Sequence, residues 1–325
     1  MRHVAIALLV FSALCVNTVS NVNMMNQGPA PDIQGIHAWI NSEPLKISEL
    51  KGKVILVDFW TYSCINCIRT LPYLKQWHEK YPELVIIGVH TPEFDFEKDE
   101  DNVRQAVEKF DITYAVAMDN DYATWKAYKN SYWPRKYIIN KEGDIIYDHI
   151  GEGGYEETEA VIQQQLGVKT EMVNVTEGGR NVGTPELYLG YDFARQPLGN
   201  KEGFRPGEVV VYERTEVSQP NMVYLEGMWK NNPESAEAVS GARLSLIYLA
   251  SDVNIVASGL GRIEILMDGK PVSYKGSDIM EENGRTYTEI SEERLYNIVS
   301  SPLSGAHLIE IIPEGEFRIY TFTFG

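Results

Sequence analysis

Cysteine is scarce in this sequence. Only three of the 325 residues are cysteines, and Cys15 lies in an apolar run near the N-terminus, which leaves Cys64 and Cys67. Exported proteins often carry structural disulfides, but this chain has no spare cysteines for them. A structural zinc site is disfavoured too, because it needs four ligands and neither a second cysteine pair nor an HxxxH motif is present. We therefore predict a redox-active Cys64–Cys67 pair, with an inert disulfide as the simpler alternative.

Long apolar runs are almost as rare. Residues 4–16 form an apolar run that is shorter than the roughly 20 residues a membrane-spanning helix needs. Small residues follow it, so we expect residues 1–20 to be a cleaved secretory signal peptide. Lipid attachment at Cys15 is less favoured, since Leu14 precedes it where a small residue is expected. The predicted location is the periplasm or the exterior of the cell.

Positive charge is in deficit throughout the chain. Lysine and arginine number 29 against 46 acidic residues, which gives a net charge of −17. Such a surface repels phosphate backbones, so nucleic acid is not expected as a partner. The acidic run EKDED at 97–101 is expected to form a solvated face.

The chain divides into two parts that differ in their pattern of predicted secondary structure. Over residues 21–168, buried strands alternate with helical periodicity, which indicates an α/β domain with a mixed central sheet flanked by helices. Residues 169–186 are rich in Gly, Thr and Asn and are expected to be a linker. Residues 187–325 carry about ten short alternating runs, typical of an all-β jelly-roll-type sandwich resembling carbohydrate-binding modules. Strands or helices of the first part are predicted at 53–60, 64–81, 84–90, 102–110, 114–119, 136–150 and 155–166.

Several residues around the cysteines stand in a characteristic order. Asp58 precedes Cys64 by six residues in an otherwise apolar strand, and Trp60 precedes it by four. Pro72 follows Cys67 by five, and Trp133-Pro134 comes just before the strand KYIIN. A buried acid, a tryptophan, CxxC, a helix proline and a distal X-Pro, in that order, resemble the thioredoxin family. Residues 30–60 resemble the N-terminal hairpin of its exported TlpA-like branch.

Three sequence segments show a closer resemblance to one group of proteins. FWTYSCINCIRTLP, GVHTPEF and YWPRKYIIN together are similar to the soluble C-terminal region of DipZ-type cytochrome c biogenesis proteins, in which a β-sandwich follows the thioredoxin domain. Those proteins usually carry a polytopic electron-transferring membrane domain ahead of this region. In this sequence we expect a signal peptide there instead, and we therefore expect a separate membrane or soluble protein to supply the electrons.

The resemblance and simple chemistry imply roles for the residues of the motif. A helix N-terminus stabilises a thiolate, so Cys64 is expected to attack and Cys67 to resolve the mixed disulfide. The resemblance implies that Asp58 accepts the Cys67 proton, and burial of its carboxyl group should raise its pKa. It also implies that Pro134 is a cis-proline that presents the Trp133 backbone to a substrate strand. Trp60 is expected to support the site.

Two further residues are candidates for tuning the thiols. Glu93 follows the carboxyl end of a predicted strand, where α/β folds gather functional groups. A role in anchoring the loop is the alternative. Arg135 follows Pro134 and is a candidate to favour the thiolate.

The predicted function is an exported thiol-disulfide oxidoreductase, a reductase of protein disulfides, with no cofactor or metal beyond the cysteine pair. One alternative is a thiol peroxidase, because Thr61 and Cys64 have the TxxC spacing of peroxiredoxins. Another is a glycan- or protein-binding module with a vestigial thioredoxin domain, where Trp229 and Tyr274 are candidates to stack on a sugar. The β-sandwich is expected to be a rigid accessory domain that presents the site to a partner.

Overall fold

The computed structural model describes residues 24–175 and 182–325, so the predicted signal peptide and Cys15 lie outside the described residues. The first part of the chain is an α/β unit built on one mixed sheet of six strands. Its strand order is β1-β4-β3-β2-β5-β6. In chain order its elements are β1 (Trp39–Ile40), β2 (Val54–Trp60), α1 (Ile65–Lys80), β3 (Leu84–His90), α2 (Glu100–Lys109), β4 (Ala115–Met118), α3 (Ala123–Ala127), β5 (Arg135–Ile139), β6 (Ile145–Ile150) and α4 (Tyr155–Leu166).

The central strand β2 sets the position of the site. All seven of its residues are buried, as expected for a strand covered on both faces. It pairs in parallel with β3 and antiparallel with β5. The chain leaves β2 at Trp60 and enters α1 within five residues. The predicted α/β domain with a mixed sheet is confirmed.

The N-terminal segment differs from the expected hairpin. Within the described residues ahead of β2, the only strand is β1, two residues long, and it pairs with β4 at the edge of the sheet. Residues 27–30 form backbone hydrogen bonds with residues 143–145 and not with a partner of their own segment. Pro31 and Pro44 interrupt the rest of the segment, and proline cannot donate the hydrogen bond that a ladder requires. The expectation of a hairpin at 30–60 was therefore wrong.

The second part is an all-β unit. Its described strands are β7 (Leu187–Tyr188), β8 (Val209–Tyr212), β9 (Val223–Asn231), β10 (Ala236–Met267), β11 (Lys270–Pro271), β12 (Met280–Glu282), β13 (Arg285–Ile290) and β14 (Arg294–Phe324). They form one large sheet in which β10 and β14 are long partners. The expected set of about ten short strands was wrong, since three of them are parts of β10.

Glycine lets the long strands continue without a break. The register of β10 against β14 shifts repeatedly between Ala250 and Ser258, so the ladder bends there instead of ending. At Gly259, φ is +135° and an added Cβ would lie 2.1 Å from the Glu316 carbonyl oxygen. Only glycine permits this close approach of the two backbones.

The two units share apolar core. Tyr188, Val256 and Tyr320 of the β unit belong to the same buried cluster as the residues beneath α1. The ring of Tyr320 lies 5.1 Å from that of Phe94 and 4.9 Å from that of Phe96, both in the loop after β3. Among the described residues, no helix has the length and apolar character to cross a membrane.

Candidate active site

Cys64 and Cys67 lie at the beginning of α1. Cys64 is the N-cap residue, and its Sγ accepts a hydrogen bond from the Cys67 backbone N–H at 3.3 Å. Cys64 is half-buried, Cys67 is buried, and no disulfide joins them in this structure. The unpaired N–H groups of a helix N-terminus stabilise negative charge. The half-buried Cys64 sulfur is therefore placed to act as a thiolate, and the buried Cys67 sulfur lies one helical turn further into α1.

The inner thiol is protected from ionisation by its surroundings. Burial, the hydrogen bond with Cys64 and the nearby Asp58 raise the pKa of the Cys67 thiol well above its ordinary value. A thiol of this kind needs a base before it can attack a disulfide.

Asp58 is placed to be that base. It lies in β2 on the face that packs against α1, and it is 1% exposed. Burial raises the pKa of its carboxyl group to about 7, while the charge of Lys136 opposes the rise. Neither carboxylate oxygen has a hydrogen-bond partner among the described residues. A carboxyl group that titrates near neutrality can accept a proton and later release it.

Lys136 is a member of the site that sequence reasoning missed. It is 0% exposed and lies directly opposite Asp58 in the antiparallel pairing of β5 with β2. The only local signal was a lysine within the apolar strand KYIIN. The pairing of β5 with β2, which determines what the lysine faces, cannot be read from that strand alone.

Trp60 lines the same face of the sheet. It is fully buried, and its ring lies 5.3 Å from that of His90 in an edge-to-face arrangement. Burial lowers the pKa of His90 to about 3, so this imidazole stays neutral. Gly88, beside Asp58 on β3, leaves room for the ring, because an added Cβ would lie 3.0 Å from Trp60 Nε1.

Trp133 and Pro134 connect the loops that end at this edge of the sheet. Their peptide bond is cis, and β5 begins at the next residue. The Trp133 Nε1–H donates to the Thr91 carbonyl oxygen at 3.0 Å, and its ring lies 4.3 Å from that of Trp125. The loop after β3 is thereby attached to the segment that precedes β5.

Arg135 does not face the cysteines. Its guanidinium pairs with Asp148 at 2.6 Å and covers the ring of Tyr137. It lies opposite Phe59, whose side chain belongs to the core on the other face of the sheet. Because side chains alternate along a strand, Lys136 and not Arg135 is the cation on the face of Asp58. The expectation that Arg135 favours the thiolate is thus contradicted by its placement.

Glu93 connects the α/β unit to the β unit. Its Oε1 accepts a hydrogen bond from the Tyr188 hydroxyl at 2.6 Å, and the same hydroxyl lies 2.8 Å from Glu186. Burial and the charge of Glu186 raise the pKa of Glu93 to about 8. The geometry supports the alternative in which Glu93 anchors the loop after β3. It also shows that Glu93 attaches this loop to the β unit.

Glu97 is the second residue that sequence reasoning missed. It is fully buried, and its Oε1 accepts a hydrogen bond from the Ser63 hydroxyl at 2.6 Å. Its Oε2 accepts one from the Phe94 backbone N–H at 3.0 Å. The expectation of a solvated face at 97–101 was wrong for this residue, because its carboxylate fixes the residue before Cys64. No pattern within EKDED distinguishes it from its neighbours.

Two grooves lie beside the first turn of α1, each walled on one side by the β unit. One, of about 450 Å³, lies between Ile65 and the segment 182–186. The other, of about 560 Å³, lies between Ile68 and strands β10 and β14. Ile65 and Arg69 line both grooves. A protein approaching the cysteine pair therefore meets surfaces from both units.

The sequence matches two protein-family models. A Redoxin model matches residues 26–166, and a thioredoxin-like C-terminal domain model matches residues 184–325. Protein DipZ of Mycobacterium bovis is 34% identical over 313 residues, which is 92% of this chain and 43% of that protein. The thiol-disulfide oxidoreductase YkuV of Bacillus subtilis is 28% identical over 139 residues, 42% of this chain and 94% of YkuV.

The chain thus spans less than half the length of the DipZ proteins it matches. A crystal structure of a thioredoxin-like superfamily protein is 25% identical, with a TM-score of 0.41, and covers 44% of this chain and 99% of that one.

Proposed function

We propose that this chain, which is similar to the mycobacterial DipZ proteins and matches a Redoxin model followed by a thioredoxin-like C-terminal domain model, is an exported thiol-disulfide oxidoreductase that reduces protein disulfides. The observation that carries the proposal is the cysteine pair at the start of α1, one cysteine half-buried and one buried, with the buried Asp58 carboxyl group close enough to Cys67 to affect its ionisation. The reaction transfers two electrons from the two thiols to a substrate disulfide. No cofactor or metal is needed, because the pair itself carries the electrons.

The proposed substrates are disulfides in other exported proteins. The resemblance to DipZ-type proteins supports those met in cytochrome c maturation or in disulfide repair. Each turnover leaves Cys64 and Cys67 oxidised, and we propose that a membrane or soluble electron donor reduces them again. Residues 1–20, as a signal peptide, would direct the chain to the periplasm or the exterior.

We propose that the β unit is a rigid accessory domain that forms part of the surface contacted by the protein substrate and so selects that substrate. The aromatic contacts of Tyr320 and the hydrogen bond between Tyr188 and Glu93 support rigidity. The grooves beside Ile65 support a role in substrate contact. Of the two sugar-stacking candidates, Trp229 is fully buried and unavailable, and only Tyr274, at 45% exposed, could contact a sugar. Because a single exposed ring remains, we favour a protein partner over a glycan. The long antiparallel strands are compatible with a jelly-roll-type sandwich, which we propose as the finer fold.

Insulin reduction by the reduced full-length chain tests the activity. Wild type should precipitate the insulin B chain at a rate proportional to enzyme concentration. Cys64→Ser should abolish turnover, and Cys67→Ser should accumulate a mixed disulfide through Cys64, because nothing remains to resolve it. Equal turnover by wild type and Cys64→Ser would contradict the proposal. Hydrogen peroxide consumption that depends on Cys64, without insulin reduction, would favour the peroxidase alternative.

A surface substitution tests the role of the β unit. Val182 is 46% exposed and lines the groove beside Ile65. Val182→Glu should slow the reduction of a protein disulfide while leaving the reduction of a small aromatic disulfide unchanged. Val209→Glu is the matched control, since Val209 is 52% exposed on β8 and lines neither groove. Equal effects of both variants on the protein substrate would contradict this role of the β unit.

A further inference from the structure

Lys136 is a buried cation without a carboxylate at ion-pairing distance among the described residues. Its Nζ lies 3.3 Å from the Gly151 carbonyl oxygen and 5.3 Å from the centre of the Tyr155 ring. Fully buried lysines are rare because the charge loses its hydration, and they usually have a partner. A buried lysine in the second position of β5, two residues after Pro134, therefore requires a structural explanation.

Asp58 supplies that explanation. It is the residue directly opposite Lys136 across the β2–β5 pairing, and such pairs have their Cβ atoms about 4.5–5.5 Å apart on one face of the sheet. Both oxygens of the Asp58 carboxyl group are buried and unpartnered among the described residues. On its other side Asp58 faces Gly88, which has no side chain to offer. Lys136 is therefore the cation that faces the proton acceptor of the site.

The other titratable groups around the pair come from several elements. Cys67 on α1 and Tyr114 before β4 interact electrostatically with Asp58. His149 on β6 lies opposite Lys136 in register and is half-buried. Glu152 and Tyr155, from the loop after β6 and from α4, complete the surroundings of Lys136.

We propose that Lys136 is a positioning residue for the thiol chemistry, acting on Cys67 through Asp58. This inference rests on the proposed function. In the step concerned, the Cys67 proton passes to the Asp58 carboxylate, and the Cys67 sulfur attacks Cys64 Sγ in the mixed disulfide. The Cys64–Cys67 bond forms, the bond to the substrate sulfur breaks, and the substrate leaves as a thiolate that takes a proton from water. Lys136 keeps Asp58 in the charged form that accepts the proton.

The electrostatics of the pair agree with this role. The positive charge of Lys136 lowers the pKa of Asp58 against the effect of burial. Burial lowers the pKa of Lys136, and the charge of Asp58 opposes that fall. Without the cation, a smaller fraction of Asp58 would be ionised at neutral pH. Resolution of the mixed disulfide would then require a higher pH.

The test is the pH dependence of reaction with a small aromatic disulfide, 5,5′-dithiobis(2-nitrobenzoate), by the reduced full-length chain. A first equivalent of chromophore reports attack by Cys64, and a second reports resolution by Cys67. In Lys136→Met the midpoint of the second step should move upward by about 1–3 pH units, with the first step unchanged. Lys136→Gln should shift equally, and Lys136→Arg should restore the wild-type profile. Lys53→Met, at an exposed position before β2, is the matched control and should change nothing.

The outcomes separate this inference from the proposed function. In an Asp58→Asn background, Lys136→Met should cause no further shift, because Lys136 acts through Asp58. A Lys136→Met profile that superimposes on wild type, or an equal shift in the Asp58→Asn background, would overturn the inference alone. A wild-type chain that never releases the second equivalent would overturn the proposed function, and the inference with it.

Discussion

Replacement of Asp58 by asparagine should change how stability depends on pH. Burial raises the pKa of Asp58 from 3.8 to about 7, so the native state retains a proton that the unfolded chain releases near pH 4. The stability due to this proton is fully present below the pKa that Asp58 has in the unfolded chain. It is lost as the pH rises through the pKa that Asp58 has in the native state. Since each pKa unit corresponds to about 1.4 kcal/mol, ionisation of Asp58 costs the native state about 4 kcal/mol.

Urea unfolding of the reduced chain, followed by tryptophan fluorescence, measures this cost. Between about pH 4 and pH 8, the free energy of unfolding of Asp58→Asn should rise by about 4 kcal/mol relative to wild type. Taking the difference between the two proteins cancels the titrating groups that do not interact with Asp58, Glu93 among them. If the difference in free energy of unfolding between the two proteins stays constant over this range, the reasoning that ionisation of Asp58 destabilises the native state is refuted.

Three further substitutions give independent checks. Wild type should lose stability as Glu93 ionises with rising pH, through its pKa of about 8, and Glu93→Gln should remove this loss. Urea titrations of both proteins at pH 6 and pH 9 measure the difference. Identical pH dependence of the free energy of unfolding in both proteins would count against this prediction. Trp229→Ala, at a fully buried position, should lower the free energy of unfolding by about 3–5 kcal/mol, and a cost well below 1 kcal/mol in the same assay would show that the site is not packed. Gly88→Ala should cost about 1–3 kcal/mol by overpacking, because the new Cβ would lie 3.0 Å from Trp60 and 3.1 Å from Tyr114; a neutral or stabilising effect would contradict the contact.

The sequence predicts the α/β unit well where the signal is local. β2, α1 and β3 carry either a continuous apolar run or a regular helical spacing, and their observed bounds lie within a residue or two of the expected ones. The order of Asp58, Cys64 and Cys67 likewise comes from one continuous stretch of sequence.

The parts that escaped prediction depend on distant pairings. Lys136 and Glu97 look like surface residues in their own segments, and each acquires its role from a partner more than 30 positions away, Asp58 in one case and Ser63 in the other. In the β unit, Gly259 lies inside β10, although glycine is depleted in strands. Its close approach to β14 is a property of the assembled sheet.

The reduction potential of the Cys64–Cys67 pair tests the central claim most directly. The full-length chain is equilibrated with glutathione buffers of known ratio, and its free thiols are counted after acid quenching and alkylation. We predict one intramolecular disulfide with a potential more negative than that of glutathione, as a reductase requires. A potential far above that of glutathione would contradict the assignment as a reductase. A pair that forms no disulfide at any ratio would contradict thiol-disulfide exchange itself.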